Sequence, residues 1–196
     1  MKHIDYYLSL ASPWSYLGHE RLLQIAKKHQ ASVSIFPIDL SIILPATGGI
    51  PLPKRSQQRK NYRLQELMRW REFLEVPLTL RPKHFPVSDH LAAAMVLAIR
   101  QNDVNQALAF AGSCLEAVWK DELDISDRST LLSIAEGHGL DGKALMEEES
   151  VMLDSRRADS EAAIERGVYG APTYIVGDEV FWGQDRIDFV DRKLGA

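Results

Sequence analysis

The alternation of hydrophobic and polar positions predicts strands at both ends of the chain and helices between them. Residues 3–10 are rich in Ile, Tyr and Leu, which is typical of a strand, and residues 32–36 alternate polar and apolar side chains. Residues 173–176 and 179–182 predict two more strands, joined by a tight turn at 177–178. The long stretch between these two pairs carries hardly any strand signal.

A helix is predicted directly after the first strand. Ser12 is a favourable N-cap, and Pro13 is a favourable first helical residue because its missing N–H needs no partner there. We expect this helix to run to about His29, and its apolar positions recur at helical spacing. They are Trp14, Gly18, Leu22, Ile25 and Ala26.

The middle of the chain is predicted to be helical after a loop. Residues 43–53 hold three prolines and two glycines, which predicts the loop, and a charged helix should follow from Lys54 to about Glu75. Asp185 is expected to cap a closing helix at the C-terminus. Between them the pattern predicts helices over 91–99, 106–120, 131–136 (capped by Asp127 or Ser126), 143–149 (capped by Asp141), and one ending near Arg166.

The element order β-α-β, helical block, β-β-α predicts an α/β fold. The two ends can close into a four-stranded sheet with helices, and the helical block is then an insertion at a surface loop. We therefore expect one α/β domain formed by residues 1–41 plus 167–196, interrupted by a helical domain over residues 42–166.

Composition narrows the function classes. The chain has 196 residues and a formal net charge of −4, so no basic excess indicates nucleic-acid binding. No run of 18 apolar residues and no secretory signal are present, which excludes a membrane span and favours the cytoplasm. The histidines show no metal-ligand spacing, so no metal site is expected.

Cysteine usage limits the redox chemistry. One cysteine excludes an intramolecular disulfide and a CxxC pair. Cys114 lies among small residues in the middle of a predicted helix, where a buried thiol is the more common outcome. A thiol enzyme would depend on Cys114 or use a thiol that is not its own.

Candidate chemistry is found at four places in the sequence. Ser12 lies where free backbone N–H groups and the positive helix end stabilise an anion, although plain N-capping is the commoner role. Pro172 either begins a strand or forms a cis bond beside a ligand. Asp185 either caps a helix or holds an ammonium group. A basic cluster either forms a solvated helix face or holds an anionic substrate, and it comprises Lys54, Arg55, Arg59, Lys60 and Arg63.

Taken together, these motifs resemble a known family. The turn Ser12–Gly18 looks like the active-site turn of the thioredoxin-like superfamily in its DsbA-type form, which carries an inserted all-helical domain. Redox members have cysteines where this chain has Ser12 and Ser15, so disulfide exchange is unavailable. Within the superfamily the chain is similar to 2-hydroxychromene-2-carboxylate isomerases and to kappa-class glutathione transferases. The other motifs that carry this resemblance are 69–70, 117–119, 167–173 and 181–186.

The resemblance implies glutathione as a cofactor. Ser12 matches the serine that donates a hydrogen bond to the glutathione sulfur, and Ala171, before a cis Pro172, matches the residue that pairs with the tripeptide main chain. The γ-glutamyl end is implied to be held by Trp182, Gly183, Gln184 and Asp185.

The resemblance also implies the substrate and the assembly. Lys54, Arg55 and His84 match positions that contact a carboxylate substrate. The implied reaction interconverts 2-hydroxychromene-2-carboxylate and trans-o-hydroxybenzylidenepyruvate, a step of naphthalene-like aromatic degradation, in a homodimer. Two departures leave the exact substrate open: Ser9 replaces a common aspartate, and the loop 44–49 lacks a common lysine.

Two other functions stay open at this point. The same site would serve a glutathione transferase or peroxidase acting on electrophiles. A non-catalytic thioredoxin-like binding module would have the fold without affinity for glutathione.

Overall fold

The computed structural model describes residues 2–196, which form four strands and nine α-helices. The strands are β1 (His3–Leu8), β2 (Ser32–Pro37), β3 (Thr173–Val176) and β4 (Glu179–Trp182). The helices are α1 (Pro13–His29), α2 (Leu40–Ala46), α3 (Gln57–Leu74), α4 (His90–Arg100), α5 (Val104–Trp119), α6 (Arg128–Gly137), α7 (Gly142–Glu147), α8 (Glu149–Glu165) and α9 (Ile187–Gly195).

The strands form one mixed sheet in the order β2-β1-β3-β4. β1 pairs with β2 in parallel, with Ile4 opposite Val33, and α1 is the crossover between them. β1 and β3 pair antiparallel with Asp5 opposite Ile175, and β3 and β4 form an antiparallel hairpin. The predicted closure of the two chain ends into a four-stranded α/β sheet is confirmed.

The start and the end of α1 follow from local sequence signals. The Ser12 hydroxyl accepts a hydrogen bond from the Ser15 N–H at 3.3 Å, and Pro13 occupies the first helical position. The helix ends where Gln30 takes a left-handed conformation with φ of 53°. Both boundaries agree with the sequence prediction.

The largest hydrophobic cluster among residues 2–196 joins the sheet to the helical segment. It includes Ile4 and Tyr6 of β1, Val96 of α4 and Trp119 of α5. Residues 91–99 of α4 are all buried, because this helix lies between the sheet and other helices. The helical insertion therefore packs on the sheet directly, and the domain boundaries at 41/42 and 166/167 stay a prediction.

Helix α3 is attached much more lightly. Of its eighteen residues, Leu67 is the buried one, and it packs in a small cluster with Leu17 of α1 and Leu78. Met68, the next residue along this helix, is exposed. Arg63 of α3 lies over the rings of Phe85 and Trp119, and Tyr62, Glu66 and Trp70 line the pocket described below.

The predicted loop over residues 43–53 is partly wrong. Helix α2 overlaps its first part, because the Asp39 carboxylate accepts a hydrogen bond from the Ser41 N–H at 2.8 Å and caps the helix despite Pro45. Residues 52–54 form a 3₁₀ turn, and the next helix begins at Gln57 after the cap Ser56, later than predicted.

The predicted cap at Asp185 is also wrong. Asp185 lies inside a 3₁₀ turn over Gln184–Arg186, and α9 begins at Ile187 with no side-chain cap. The extra turn separates the aspartate from the helix that it was expected to begin. By contrast, Asp127 and Asp141 accept hydrogen bonds from the first-turn N–H groups of α6 and α7 as expected.

Two structural features are absent from residues 2–196. No helix in that range has the length and apolar character needed to cross a membrane. No group of three or more His, Cys, Asp or Glu side chains there is arranged to hold a metal ion.

Candidate active site

A pocket of about 350 Å³ lies beside the N-terminus of α1. Its floor and sides come from the first turn of α1, the segment before β3, the turn after β4, and α3. The pocket is lined by Trp14, Tyr62, Glu66, Trp70, Ala171, Trp182, Gly183, Gln184, Asp185 and Arg186. Five of the seven residues implied by the resemblance to hold glutathione are in this set.

Ser12 lies two residues before Trp14 and is almost fully buried, with 8% of its surface exposed. Its hydroxyl caps α1 and its own N–H donates to the Ser9 carbonyl at 3.0 Å. The first-turn N–H groups and the positive end of the helix dipole therefore meet beside the pocket, and this arrangement stabilises a thiolate or carboxylate.

The turn that carries Ser12 is anchored by Asp89. One carboxylate oxygen of Asp89 accepts hydrogen bonds from the Ser9 hydroxyl at 2.9 Å and from the Leu10 N–H at 3.1 Å. The other oxygen is bound by Arg156 at 2.7 Å. Ser9, at the position where the resemblance implied an aspartate, thus reaches an aspartate elsewhere in the chain.

The Ala171–Pro172 peptide bond is cis. The Pro172 carbonyl accepts a hydrogen bond from the Gly183 N–H at 2.8 Å, so the segment before β3 and the turn after β4 are held together. Thr173 adds a bond from its hydroxyl to the Gly170 carbonyl at 2.8 Å. Ala171 consequently faces the pocket at a fixed position between these two segments.

In the turn after β4, some side chains are exposed to solvent and others are hydrogen-bonded within the protein. Trp182 is half exposed and packs on Tyr169 with ring centroids 4.8 Å apart. Gln184 is buried, and its side-chain oxygen accepts a bond from Arg21 at 2.8 Å, so that oxygen is engaged within the protein. The Asp185 carboxylate lies 3.5 Å from Arg186 and is exposed at the pocket rim.

The three predicted substrate residues do not line this pocket. Lys54 is exposed at the end of the 3₁₀ turn before α3. Arg55 is half-buried and donates to the Ile50 carbonyl at 2.8 Å, and burial followed by the charge of Arg59 lowers its pKa. His84 Nδ1 lies 3.6 Å from the Asp124 carboxylate.

Sequence reasoning missed the wall that α3 contributes. Tyr62, Glu66 and Trp70 are spaced by four residues, so they lie on one helix face and point to one pocket. The spacing is visible in the sequence, but a mixed set of aromatic and acidic residues carries no signal that this face is paired with α1.

Cys114 is fully buried in α5, as expected, and burial raises the pKa of its thiol. Such a thiol is inert in both nucleophilic and redox chemistry at neutral pH. The reactive groups beside the pocket are therefore hydroxyls, backbone N–H groups and charged side chains.

The fold and the serine-bearing turn define a DsbA-like thioredoxin protein without redox cysteines. The family model for the DSBA-like thioredoxin domain matches residues 3–195. The solved structure of cytosolic disulfide reductase DsbM from Pseudomonas aeruginosa with GSH shares the fold, with a TM-score of 0.67 at 18% identity, covering 99% of this chain and 100% of that one.

Relatives with higher sequence identity indicate the branch of the DsbA-like thioredoxin proteins to which the chain belongs. A 2-hydroxychromene-2-carboxylate isomerase from Sphingobium xenophagum is 35% identical over 98% of both chains. A solved 2-hydroxychromene-2-carboxylate isomerase superposes with a TM-score of 0.86 at 27% identity, covering 98% of this chain and 94% of that one. Glutathione S-transferase kappa 1 from Rattus norvegicus is 23% identical over 98% of this chain and 90% of its own length.

The chain belongs to the 2-hydroxychromene-2-carboxylate isomerase family of DsbA-like thioredoxin proteins, and it is an enzyme of the isomerase class. Kappa-class glutathione transferases are its more distant relatives.

Proposed function

We propose that this protein is a glutathione-dependent cis-trans isomerase acting on 2-hydroxychromene-2-carboxylate or a related aromatic 2-oxo acid. The observation that carries the proposal is the pocket at the N-terminus of α1, where a capping serine replaces the redox cysteine and the single cysteine is buried elsewhere. Isomerase relatives along nearly the whole chain and a kappa glutathione transferase relative support it.

The pocket suits a tripeptide thiol. Helix N–H groups beside Ser12 favour an anionic sulfur, the cis Ala171–Pro172 segment offers main-chain groups, and the turn at 182–185 offers a carboxylate for an ammonium group. When bound, glutathione would supply a thiolate whose reversible addition turns the conjugated double bond into a single bond that can rotate, and its elimination would restore the double bond and the free thiolate. The reaction consumes no oxidant or reductant.

In this mechanism the protein's own residues stabilise the thiolate and orient glutathione and the substrate. Ser12 donates its hydroxyl hydrogen to the sulfur. Together with the α1 dipole, this hydrogen bond favours the thiolate form of glutathione over the thiol. Trp182, Gly183, Gln184 and Asp185 fix the γ-glutamyl end, so the sulfur stays beside α1. Lys54, Arg55 or His84 is the proposed contact of the substrate carboxylate, outside the glutathione pocket.

Ser12→Ala tests the central role. Loss of a hydrogen bond to a charged sulfur should lower turnover by roughly tenfold to a hundredfold, while glutathione binding stays mostly intact. The measurements are isomerase kinetics and calorimetric titration with glutathione. Ser12→Thr retains a hydroxyl and the helix cap, so it should keep most of the activity. Equal turnover in Ser12→Ala and the wild type would remove Ser12 from the mechanism.

A glutathione transferase is the second candidate, favoured by the kappa-class relative. Incubation with glutathione and a chloronitrobenzene separates the two activities. Accumulation of a stable conjugate identifies a transferase, whereas recovery of glutathione together with an isomerised aromatic oxo acid identifies an isomerase.

A wild-type protein with no calorimetric affinity for glutathione would instead be a binding module, and this result would overturn both glutathione-dependent functions. Homodimer formation, the cytoplasm and a role in naphthalene-like degradation stay predictions.

A further inference from the structure

One arginine of the helical segment is partly buried without a counter-ion. The guanidinium carbon of Arg63 lies 5.4 Å from the ring centroid of Phe85 and 5.8 Å from that of Trp119. The two rings themselves pack 4.8 Å apart, so the cation rests on an aromatic surface. Among residues 2–196 no carboxylate lies within 4 Å of it, although eight other arginines in that range have such a partner.

The surroundings of Arg63 make its charge unfavourable. Burial, and then the like charge of Arg55, lowers the pKa of Arg63 to about 10, and no acidic group opposes the shift. The pKa of Arg55 is lowered as well, and Arg55 forms no ion pair in the described part of the chain. Two neighbouring guanidinium groups with lowered pKa values and no acid between them are stabilised when an anion enters.

Arg63 is connected both to the segment that anchors the Ser12 turn and to the pocket wall. Phe85 lies four residues before Asp89, which binds Ser9 and Leu10 ahead of Ser12. On the other side, Tyr62 precedes Arg63 in α3 and lines the glutathione pocket. Arg63 thus follows a residue of the pocket wall along α3 and contacts Phe85 in the segment that leads to Asp89.

We propose that Arg63, with Arg55, forms the subsite for the carboxylate of an aromatic oxo-acid substrate, while the ring of that substrate packs on Phe85. This deepens the proposed function and rests on it. A planar guanidinium on an aromatic surface can bind a carboxylate through two parallel hydrogen bonds, which the flexible exposed ammonium of Lys54 cannot match. His84 is the weaker candidate because an acid, Asp124, already lies beside it.

Direct binding tests this subsite without the reaction. Benzylidenepyruvate, an unsaturated aromatic 2-oxo acid, and benzylideneacetone, which has a methyl group in place of the carboxylate, are titrated calorimetrically in the absence of glutathione. The wild type should bind the acid roughly tenfold or more tightly than the ketone. Arg63→Met retains the apolar stem on the rings and should remove this preference, leaving the affinity for the ketone unchanged.

Two controls isolate the charge and its geometry. Arg192→Met removes an arginine of α9 that also lies over an aromatic ring, 5.6 Å from the Phe189 centroid, and should leave the preference as in the wild type. Arg63→Lys keeps a charge without the planar fork and should restore part of the preference, which a merely structural role would not require.

The outcomes separate this subsite from the function on which it rests. A wild-type protein with equal affinity for acid and ketone, or an Arg63→Met variant that keeps the preference or loses both ligands equally, overturns the subsite. If the acid preference depends on Arg63 but glutathione does not bind, the subsite stands and the glutathione-dependent reaction is wrong.

Discussion

At the scale of single residues, Gly183 determines the shape of the turn that is proposed to hold the γ-glutamyl end. Its φ is +99°, a region that side chains with a Cβ rarely adopt, and an added Cβ would lie 2.4 Å from Asp185 Oδ1. Its N–H also donates to Pro172, so the same residue positions the cis-proline segment.

Gly183→Ala should therefore weaken glutathione binding by roughly tenfold and cost roughly 1–3 kcal/mol of stability. Calorimetric titration and urea unfolding measure the two effects. Gly177→Ala is the matched control, because Gly177 has a φ of +62° in the β3–β4 turn but does not line the pocket. That variant should lose stability and retain glutathione affinity. Equal affinity in both variants would contradict a role for the turn in binding.

At the scale of elements, His19 joins α1 to β1 and α5. Its Nε2–H donates to the Leu108 carbonyl at 3.1 Å, and its Nδ1 accepts from the Tyr6 hydroxyl at 3.3 Å, which requires the neutral ring. Burial lowers the pKa of His19 to about 4, and burial likewise raises the pKa of the neighbouring Tyr6 and Tyr174. The three side chains are therefore uncharged at neutral pH.

This contact predicts a pH dependence of stability. The folded-state pKa of His19 lies below its unfolded value, so the unfolded chain binds the proton first as the pH falls. Between about pH 7 and about pH 5 the protein should lose roughly 2 kcal/mol of stability through this group. Urea unfolding at the two pH values should show a smaller loss in His19→Gln. An identical loss in the variant would assign the pH dependence to other groups.

Local signals explain which elements were predictable. Ser12, Asp127 and Asp141 cap helices through hydrogen bonds to residues two or three positions away, so the sequence alone defines these boundaries. Helix α2 was missed because Pro45 indicated a loop, whereas a proline near the end of a short capped helix is tolerated. Asp185 was misassigned because an intervening 3₁₀ turn leaves no local signal.

The candidate site was predictable to the extent that it lies on the two chain ends. Trp182 to Asp185 and Ala171 meet at α1 because the sheet order places β3 and β4 beside β1. The α3 wall and the setting of Arg63 depend on tertiary packing across the helical segment. A basic cluster in the sequence does not reveal which of its cations lies on aromatic rings without a counter-ion.

At the scale of the whole molecule, a buried ion pair connects distant segments to the turn that carries Ser12. Arg156 of α8 binds Asp89 and donates to the carbonyl groups of Pro37 at 3.1 Å and Ile38 at 2.8 Å. Asp89 in turn binds Ser9 and Leu10. Helix α8, the end of β2 and the turn before Ser12 are thereby held by one set of bonds.

Arg156→Met should leave the Asp89 charge buried without its partner and cost roughly 3–5 kcal/mol of stability. Urea unfolding measures the loss, and turnover at a temperature where the variant is folded should fall because the Ser12 turn shifts. The double variant Arg156→Met/Asp89→Leu removes both charges and should recover part of the stability. A single variant within about 1 kcal/mol of the wild type would show that the pair contributes little.

The light attachment of α3 makes one pocket wall less resistant to local opening than the others. Trp14, Ala171 and the turn after β4 belong to segments fastened to the sheet, whereas α3 is held largely by Leu67 and its small cluster. Local unfolding free energy follows the number of buried contacts, so amide hydrogens of α3 should exchange with solvent sooner than those of α4. A ligand bound between α3 and the sheet would then do much to keep α3 in its ordered position. Its dissociation would begin with the opening of α3.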